Sequence, residues 1–414
     1  MPPAKSSPII LDNRVFLTAH DGSDRVLLCL EARSGKTLWE RRTRVSRTER
    51  RYPVNEPATP GPVAAKGEVS AFFPDFGLVS YTLDGRERWK VPLGPFSSQH
   101  GLSGSPVLAG GNVVLLIDQL RNSHIAAYRR SDGYLAWHSE RANAFGGYTT
   151  PAVRRESGGE EHVIVSGPNE LSAYDAATGK RIWWFRGVSS QPKAVPVLGL
   201  DTVYVNWQVT DLGNDTFDFA DVIRSYDRNA NATVELGEVE GAIRDLVEHV
   251  DSVTGHQDGK VDMAEFQKWA RNIVSSQGLF AIPLGQTGAV PADAVCWKQT
   301  KTLPDAPSPL LYKEVLYLFK NGGIVTALDA KSGELLKRGR LPEAVDIYYA
   351  SPIAGNDKIY VTSETGKVSV LKAGTDWQVL STTDLGEQVY ATPAISDGRV
   401  YVRTDTALYC FGDN

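Results

Sequence analysis

Cysteine is scarce in this chain: Cys29, Cys296 and Cys410 are the only three in 414 residues. An odd, scattered set supports neither a disulfide framework nor a cysteine-based metal knuckle. Cys29 in Leu28-Cys29-Leu30-Glu31 and Cys410 in Tyr409-Cys410-Phe411-Gly412 hold equivalent places. Both read as small apolar strand residues, not as a bridge. Long apolar runs are missing as well, and none approaches the roughly 18–20 residues that a membrane helix requires. Excess positive charge is absent: the net charge is −5 and the pI about 5.9. A nucleic-acid binder would need a dominant basic face, so that class is set aside. Residues 1–8 show no charged segment leading into an apolar one, so no signal peptide is visible. Gly-x-Ser-x-Gly, the P-loop, His-Glu-x-x-His and Cys-x-x-Cys-His are all missing, which leaves enzyme signatures thin.

What the chain has instead is a repeated phrase. A turn leads to Gly, then three residues, then Trp: Ala32-Arg33-Ser34-Gly35-Lys36-Thr37-Leu38-Trp39. It returns as Asp84-Gly85-Arg86-Glu87-Arg88-Trp89, Asp132-Gly133-Tyr134-Leu135-Ala136-Trp137 and Thr178-Gly179-Lys180-Arg181-Ile182-Trp183. The tryptophans lie 50, 48 and 46 residues apart, a period that belongs to a radial array of β-units. A second repeat runs beside it. Pro8, Pro60, Pro106, Pro151, Pro196, Pro309, Pro352 and Pro393 each precede an apolar run. Eight starts imply eight blades of four short antiparallel strands, an all-β, eight-bladed propeller. The glycine supplies the positive φ of the turn between the third and fourth strands. The tryptophan is expected to fill the gap between neighbouring blades.

Blade five is interrupted. Trp183 and Trp297 are 114 residues apart, and removing about 67 restores the period. The expected division is residues 1–209 for the first blades, 210–276 for a helical insertion, and 277–414 for the remainder. Blades six and seven are degenerate, with Lys337 and roughly Leu380 in the tryptophan place. Blade eight lacks a fourth strand before the sequence stops, and residues 1–7 make a poor strand. We expect a preceding segment to carry the missing strand and any export signal.

The insertion holds the strongest motif. Residues 227–238 match the twelve-residue calcium loop of an EF-hand. Hard oxygen ligands would come from Asp227, Asn229, Asn231, the Thr233 carbonyl, Glu235 and bidentate Glu238. Phe217, Phe219, Val222, Ile223 and Tyr226 give an entering helix with one apolar face. The sixth place holds Ala232 instead of Gly, which costs about 1–2 kcal/mol at positive φ and weakens affinity. The plain alternative is an acidic capping loop without metal. A second loop follows a helix expected over 236–250. Counted back from Glu265, it offers Thr254, His256, Asp258, Gly259, the Lys260 carbonyl, Val261 and Asp262. Thr254 and His256 are poor hard-cation ligands, and Asp251 replaces them if the loop is three residues longer. Whether this second loop binds calcium stays open. Val234 and Val261 would pair the two loops in either case.

Outside the insertion, His100 in Phe96-Ser97-Ser98-Gln99-His100-Gly101 joins two blades and is expected at one mouth of the central channel. Asp75, Asp118, Arg141 and Tyr148 occupy comparable places, and together they could form a ligand site or simply satisfy loop backbones. The basic run of Arg41, Arg42, Arg44, Arg47, Arg50 and Arg51 reads as a solvated interblade loop, with an anionic-partner patch as its functional alternative.

The phrase Ala-x-x-Ser/Thr-Gly-x-x-x-Trp resembles the repeat of the pyrroloquinoline-quinone-like β-propeller superfamily, over nearly the whole chain outside the insertion. That superfamily includes quinoprotein alcohol and glucose dehydrogenases and the outer-membrane protein assembly factor B. The insertion separately resembles an EF-hand pair. The quinoprotein enzymes have adjacent cysteines near the cofactor, and this chain has no Cys-Cys pair. The resemblance therefore implies a non-catalytic scaffold in the bacterial periplasm or another extracytoplasmic space. It implies calcium in the EF-hand module, no pyrroloquinoline quinone, and a protein or small-molecule ligand on the face of a monomer. The alternative is a quinone-dependent dehydrogenase using Asp75, His100 and Asp118. An intracellular calcium sensor is disfavoured, because it would need a Met-rich groove and the insertion has one methionine, Met263.

Overall fold

The computed structural model describes residues 1–49, 51–52, 54–98, 100–119, 121–141, 144, 146–188, 192–207, 219–275 and 277–412. Each proline of the second repeat stands just ahead of the first strand of a blade, where its missing N–H breaks no ladder. Blade one comprises Ile9–Leu11, Arg14–Asp21, Asp24–Glu31 and Thr37–Arg44, paired antiparallel in that order. The same order recurs around an eight-bladed β-propeller. The inner two long strands of a blade are buried on both faces: every residue of Glu68–Phe73 and of Asn112–Ile117 is buried. The fourth strand is outermost and mostly exposed, with its tryptophan turned inward.

That tryptophan forms the seam between blades. Trp39 lies between Phe16 of its own blade and Tyr81 of the next, at ring-centroid distances of 6.0 and 6.2 Å. Its indole N–H donates to the Leu83 carbonyl at 2.9 Å. Trp89, Trp137 and Trp297 donate likewise to Arg130, Ala176 and Ala330 of the following blade. Each ring lies flat on the turn glycine of that blade. A Cβ on Gly85, Gly133, Gly179 or Gly333 would come within 2.9, 2.8, 2.4 or 2.5 Å of it. These glycines thus meet two demands at once, positive φ and room for a ring.

A β-bulge follows the residue paired with the tryptophan, as between Cys29 and Leu30, Ala127 and Tyr128, and Ala173 and Tyr174. The bulge corrects one expectation. In blade seven the shift falls between Val370 and Leu371, so Ser381, paired with Val370, holds the tryptophan place. Leu380 is the residue that the bulge skips, and it is exposed. Lys337 does stand in that place in blade six, opposite Ala327. Arg41, Arg42 and Arg44 also differ from expectation: they lie on the fourth strand of blade one, not in a loop. Arg42 pairs there with Asp21 and Glu40. Arg50 lies outside the described residues.

Blade five runs Val197–Leu198, Thr202–Trp207, Gly278–Pro283 and Trp297–Gln299. Its long connection to the fourth strand adds Gly288–Val290 as a parallel fifth strand on blade four, beside Arg181–Arg186. Among the described residues, three helices come between its second and third strands, α1 (Phe219–Tyr226), α2 (Gly241–Thr254) and α3 (Met263–Ser275). Phe217 lies outside the described residues. Helix α2 starts five residues later than expected and runs on through Thr254, because 236–240 close the preceding loop. The helices have an apolar core of their own around Phe219, Val234, Val247, Val250 and Val261. Phe219 and Phe266 stack at 4.4 Å within it. Among the described residues, no helix is long and apolar enough to cross a membrane. Among the described residues, blade eight has three strands, Ala394–Ser396, Arg399–Arg403 and Leu408–Phe411.

Candidate functional site

The strand order places the connections between blades, and those between second and third strands, at one end of the channel. Asp75, His100, Asp118, Arg141 and Tyr148 all occur in these connections, and the helical insertion leaves from the same end.

Two of the candidate carboxylates are locked. Asp118 is fully buried and takes both arms of Arg141, at 2.7 Å from Nε and 3.1 Å from Nη2. The third arm of Arg141 donates to the Ser172 and Tyr174 hydroxyls at 2.9 and 2.8 Å. Asp75, 3% exposed, accepts from Arg25 Nε at 2.9 Å across the seam between blades one and two. These pairs were not legible in the sequence, since partners stand 23 and 50 residues apart with no periodic relation. The structure thus places Asp75 and Asp118 in the walls of the mouth, each holding an arginine.

His100 is in a different position. Its ring lies 5.6 Å from Tyr52 on one side and 5.6 Å from Tyr148 on the other, joining the connections that follow blades one, two and three. Its carbonyl accepts from the backbone of Tyr52 and from the Asn55 side chain. The Tyr148 hydroxyl is buried and has no hydrogen-bond partner among the described residues, and burial pushes its pKa up. Tyr52 remains 52% exposed. Tyr349 and Tyr390 continue the aromatic lining in the connections after blades six and seven, 5.3 Å apart, with the Lys5 ammonium 3.7 Å over Tyr390. The Tyr390 hydroxyl donates to Glu364 at 2.8 Å. Sequence reasoning missed Tyr52, Tyr349 and Tyr390, because irregular connections carry no period to mark them. Beside Tyr52, a small, shallow cleft is lined by Glu49, Arg51, Asn55, Glu56, Asp75 and Leu102. A hydrogen bond from His20 holds Glu56 below the usual carboxylate range, against the effect of burial and with help from Lys5.

In the insertion, the first candidate loop wraps its oxygens inward. Asp227 accepts from the Asn231 and Ala232 amides, Asn231 from Thr233, and Glu238 from Arg228 and Glu235. Ala232 has a φ of 61°, the left-handed turn that the sixth place demands. In the second loop, Asp251 accepts from the amides of Gln257, Asp258 and Gly259. It does for this loop what Asp227 does for the first, from the last turn of α2. Thr254 lies at the end of that helix. His256 Nδ1 lies against the Glu265 carboxylate, Asp262 and Glu265 cap each other's amides, and the Lys260 amide donates to Asp258. The two loops pair through Val234 and Val261. Among the described residues, no three His, Cys, Asp or Glu side chains converge as a metal cluster. In the first loop, two of the five candidate side-chain donors are asparagines and a sixth ligand is the Thr233 backbone. Glu248 of α2 reaches Arg121, beside the mouth in blade three, at 3.3 Å.

Comparison with known proteins follows this geometry. Residues 2–120 and 121–347 match the family model described as outer membrane protein assembly factor BamB. The protein of that name from Burkholderia pseudomallei is 24% identical over 204 residues, which span 47% of this chain and 48% of the relative. The chain thus aligns with about half the length of this curated relative. The crystal structure of BamB from Moraxella catarrhalis superposes with a TM-score of 0.60 at 11% identity, covering 99% of this chain and 95% of that one. Quinohemoprotein alcohol dehydrogenase from Comamonas testosteroni superposes at 0.58 and 12% identity, covering 97% and 70%. Both likenesses speak for the fold alone. With its family model matched over most of its length, this chain belongs to the family of the outer membrane protein assembly factor BamB.

Proposed function

We propose that this protein is a non-enzymatic binding and assembly scaffold, with the aromatic mouth of its channel as the binding face. The reading places it in the bacterial periplasm, by its likeness to the BamB relative. The observation that carries it is the division of labour at the mouth. Asp75 and Asp118 are engaged in buried ion pairs, while Tyr52, His100, Tyr349 and Tyr390 present rings and polar edges. Rings with polar tips bind peptides and small molecules with little loss of side-chain entropy. The second reading, a quinone-dependent dehydrogenase at the same mouth, rests on the fold likeness to the alcohol dehydrogenase. Reconstitution with pyrroloquinoline quinone and calcium, followed by dye reduction, separates the two. The scaffold gives no turnover, and sustained dye reduction overturns the scaffold reading.

The scaffold reading includes calcium bound by the insertion. The donors fit: Asp227, Asn229, Asn231, the Thr233 carbonyl, Glu235 and Glu238 are hard oxygens on one loop, and Ala232 already adopts the required turn. A ligand that binds only the folded form at 100 times its Kd stabilises by about 2.7 kcal/mol. Calcium should therefore raise the melting temperature of the helical insertion, and a chelator should reverse it. Glu238→Gln removes the bidentate anchor with little change of shape, so most of that rise should disappear. An undiminished rise in the variant would sink the assignment. The second loop is the weaker of the two, since Thr254 and His256 are poor hard-cation ligands.

A further inference from the structure

We propose that His124 and His138, on the third and fourth strands of blade three, form a two-imidazole site for a divalent transition cation of the zinc, nickel and copper group. The site is separate from the calcium loops of the insertion and goes beyond the scaffold reading, which gives these residues no role.

The ladder brings the two rings together. His124 begins the third strand, His124–Arg129, directly opposite Glu140, and His138 stands opposite Ala126. Successive side chains of a strand point to opposite faces. Trp137 and Ser139 point into the seam with blade four, where they donate to the Ala176 and Gly179 carbonyls. His124, His138 and Glu140 therefore share the other face. There the imidazole centroids lie 4.6 Å apart, with the ring planes 31° from parallel. A cation about 2.0–2.1 Å from one nitrogen of each ring, at angles from square to tetrahedral, sets the centroids roughly 4.5–5.2 Å apart. The observed separation falls in that range.

One ring is already set for ligation. His124 Nδ1 lies 2.8 Å from the Asn122 carbonyl. A carbonyl oxygen can only accept, so Nδ1 carries the proton and, in the neutral ring, Nε2 keeps its lone pair. A backbone carbonyl on the far nitrogen is how metal-binding imidazoles are commonly oriented and made more basic. His124 is half-buried and His138 exposed, so the pair is anchored on one side and open to solvent on the other. The propeller repeat does not require this pair. The same two places hold Val26 and Glu40 in blade one, Gly77 and Lys90 in blade two, and Glu170 and Trp184 in blade four. Imidazoles are softer donors than the oxygens of a calcium loop, which selects late transition ions over calcium and magnesium. Two nitrogens are fewer than a closed cluster supplies, so the cation keeps positions for water or for a donor atom of a bound partner. His124 follows the connection between the second and third strands, and Glu140 precedes Arg141, so the site stands on the rim of the channel mouth.

The test titrates the full chain with zinc by calorimetry at about pH 7.5, above the ordinary imidazole pKa of about 6.5, with excess calcium holding the oxygen donors of the insertion. The wild-type chain should take up a single zinc saturably. His138→Ala should bind it at least about 10-fold more weakly, the least that even a supporting residue usually contributes to a metal site. Because His138 is exposed, the metal-free variant should melt where the wild-type chain does, so that lost binding is read against an intact fold. Copper(II) then reports the ligands directly. Its electron paramagnetic resonance spectrum should show coupling to both imidazole nitrogens in the wild-type chain and to a single one in the variant. Absence of zinc uptake, equal affinity in the variant, or a wild-type copper spectrum without the paired nitrogens would overturn the site and leave two rings that merely stack.

Discussion

Asp118→Ala is expected to destabilise the protein by about 3–5 kcal/mol, as for breaking a buried ion pair by removing one partner. The cause is the arginine left behind. Arg141 is almost wholly buried, and with Asp118 gone its side chain keeps, among the described residues, the Ser172 and Tyr174 hydroxyls. A hydroxyl dipole does not neutralise a guanidinium that has lost its hydration. The double variant Asp118→Leu with Arg141→Met should recover most of the loss, because replacing both partners with apolar groups is close to neutral. Chemical denaturation of the two variants checks this. The result bears directly on function. A ligand-binding or catalytic carboxylate could be removed with the fold intact, whereas a structural one takes the mouth with it. Full stability in the single variant would return Asp118 to the list of available chemical groups.

Trp137→Ala should cost a similar amount, about 3–5 kcal/mol, through the cavity left at the seam of blades three and four. Trp137 is 8% exposed, donates to the Ala176 carbonyl at 3.0 Å and covers Gly179. Gly179→Ala separates the packing from the backbone. In the intact protein its new methyl meets positive φ, a 2.4 Å approach to the indole and a 2.9 Å approach to Ser139 Oγ. In the Trp137→Ala background the indole clash is gone, leaving the backbone penalty of about 1–2 kcal/mol and the contact with Ser139 Oγ. The two substitutions should therefore be less than additive in a double-mutant cycle. Strict additivity would mean that ring and glycine do not share one contact.

These two cases show what the sequence could and could not reveal. The seam was legible because tryptophan and glycine recur at a fixed spacing, and each recurrence marks the same packing problem solved again. Even the degenerate copy at Lys337 could be placed by counting. Counting failed by one residue at Leu380, because a bulge is a slip in pairing and leaves no trace in composition. The Asp118–Arg141 and Asp75–Arg25 pairs were out of reach for another reason. Asp75, Asp118 and Arg141 read as candidates for a ligand site from where they fall in the chain, and only the fold shows which carboxylate meets which guanidinium. Asp251 lay between these extremes. Its carboxylate was suspected for the second loop, yet its place on the last turn of α2 depends on how far that helix continues. The tyrosines of the mouth are spread over connections of irregular length, so only the closed ring brings them together.

Trp207 and Gly278 stand opposite each other in the ladder of blade five, as the two ends of a hairpin would. Residues 208–277 therefore occupy a place that two or three turn residues could fill. For the assembling chain this is a matter of timing. Closing a loop costs entropy that grows with the length of free chain between its ends. Helices form from near neighbours and do so ahead of pairings between distant strands. With its own apolar core, the helical insertion condenses most of that stretch before the strands meet. Blade five then closes over a preformed spacer instead of a long flexible tether, so the order in which the polypeptide folds is written into the position of the insertion.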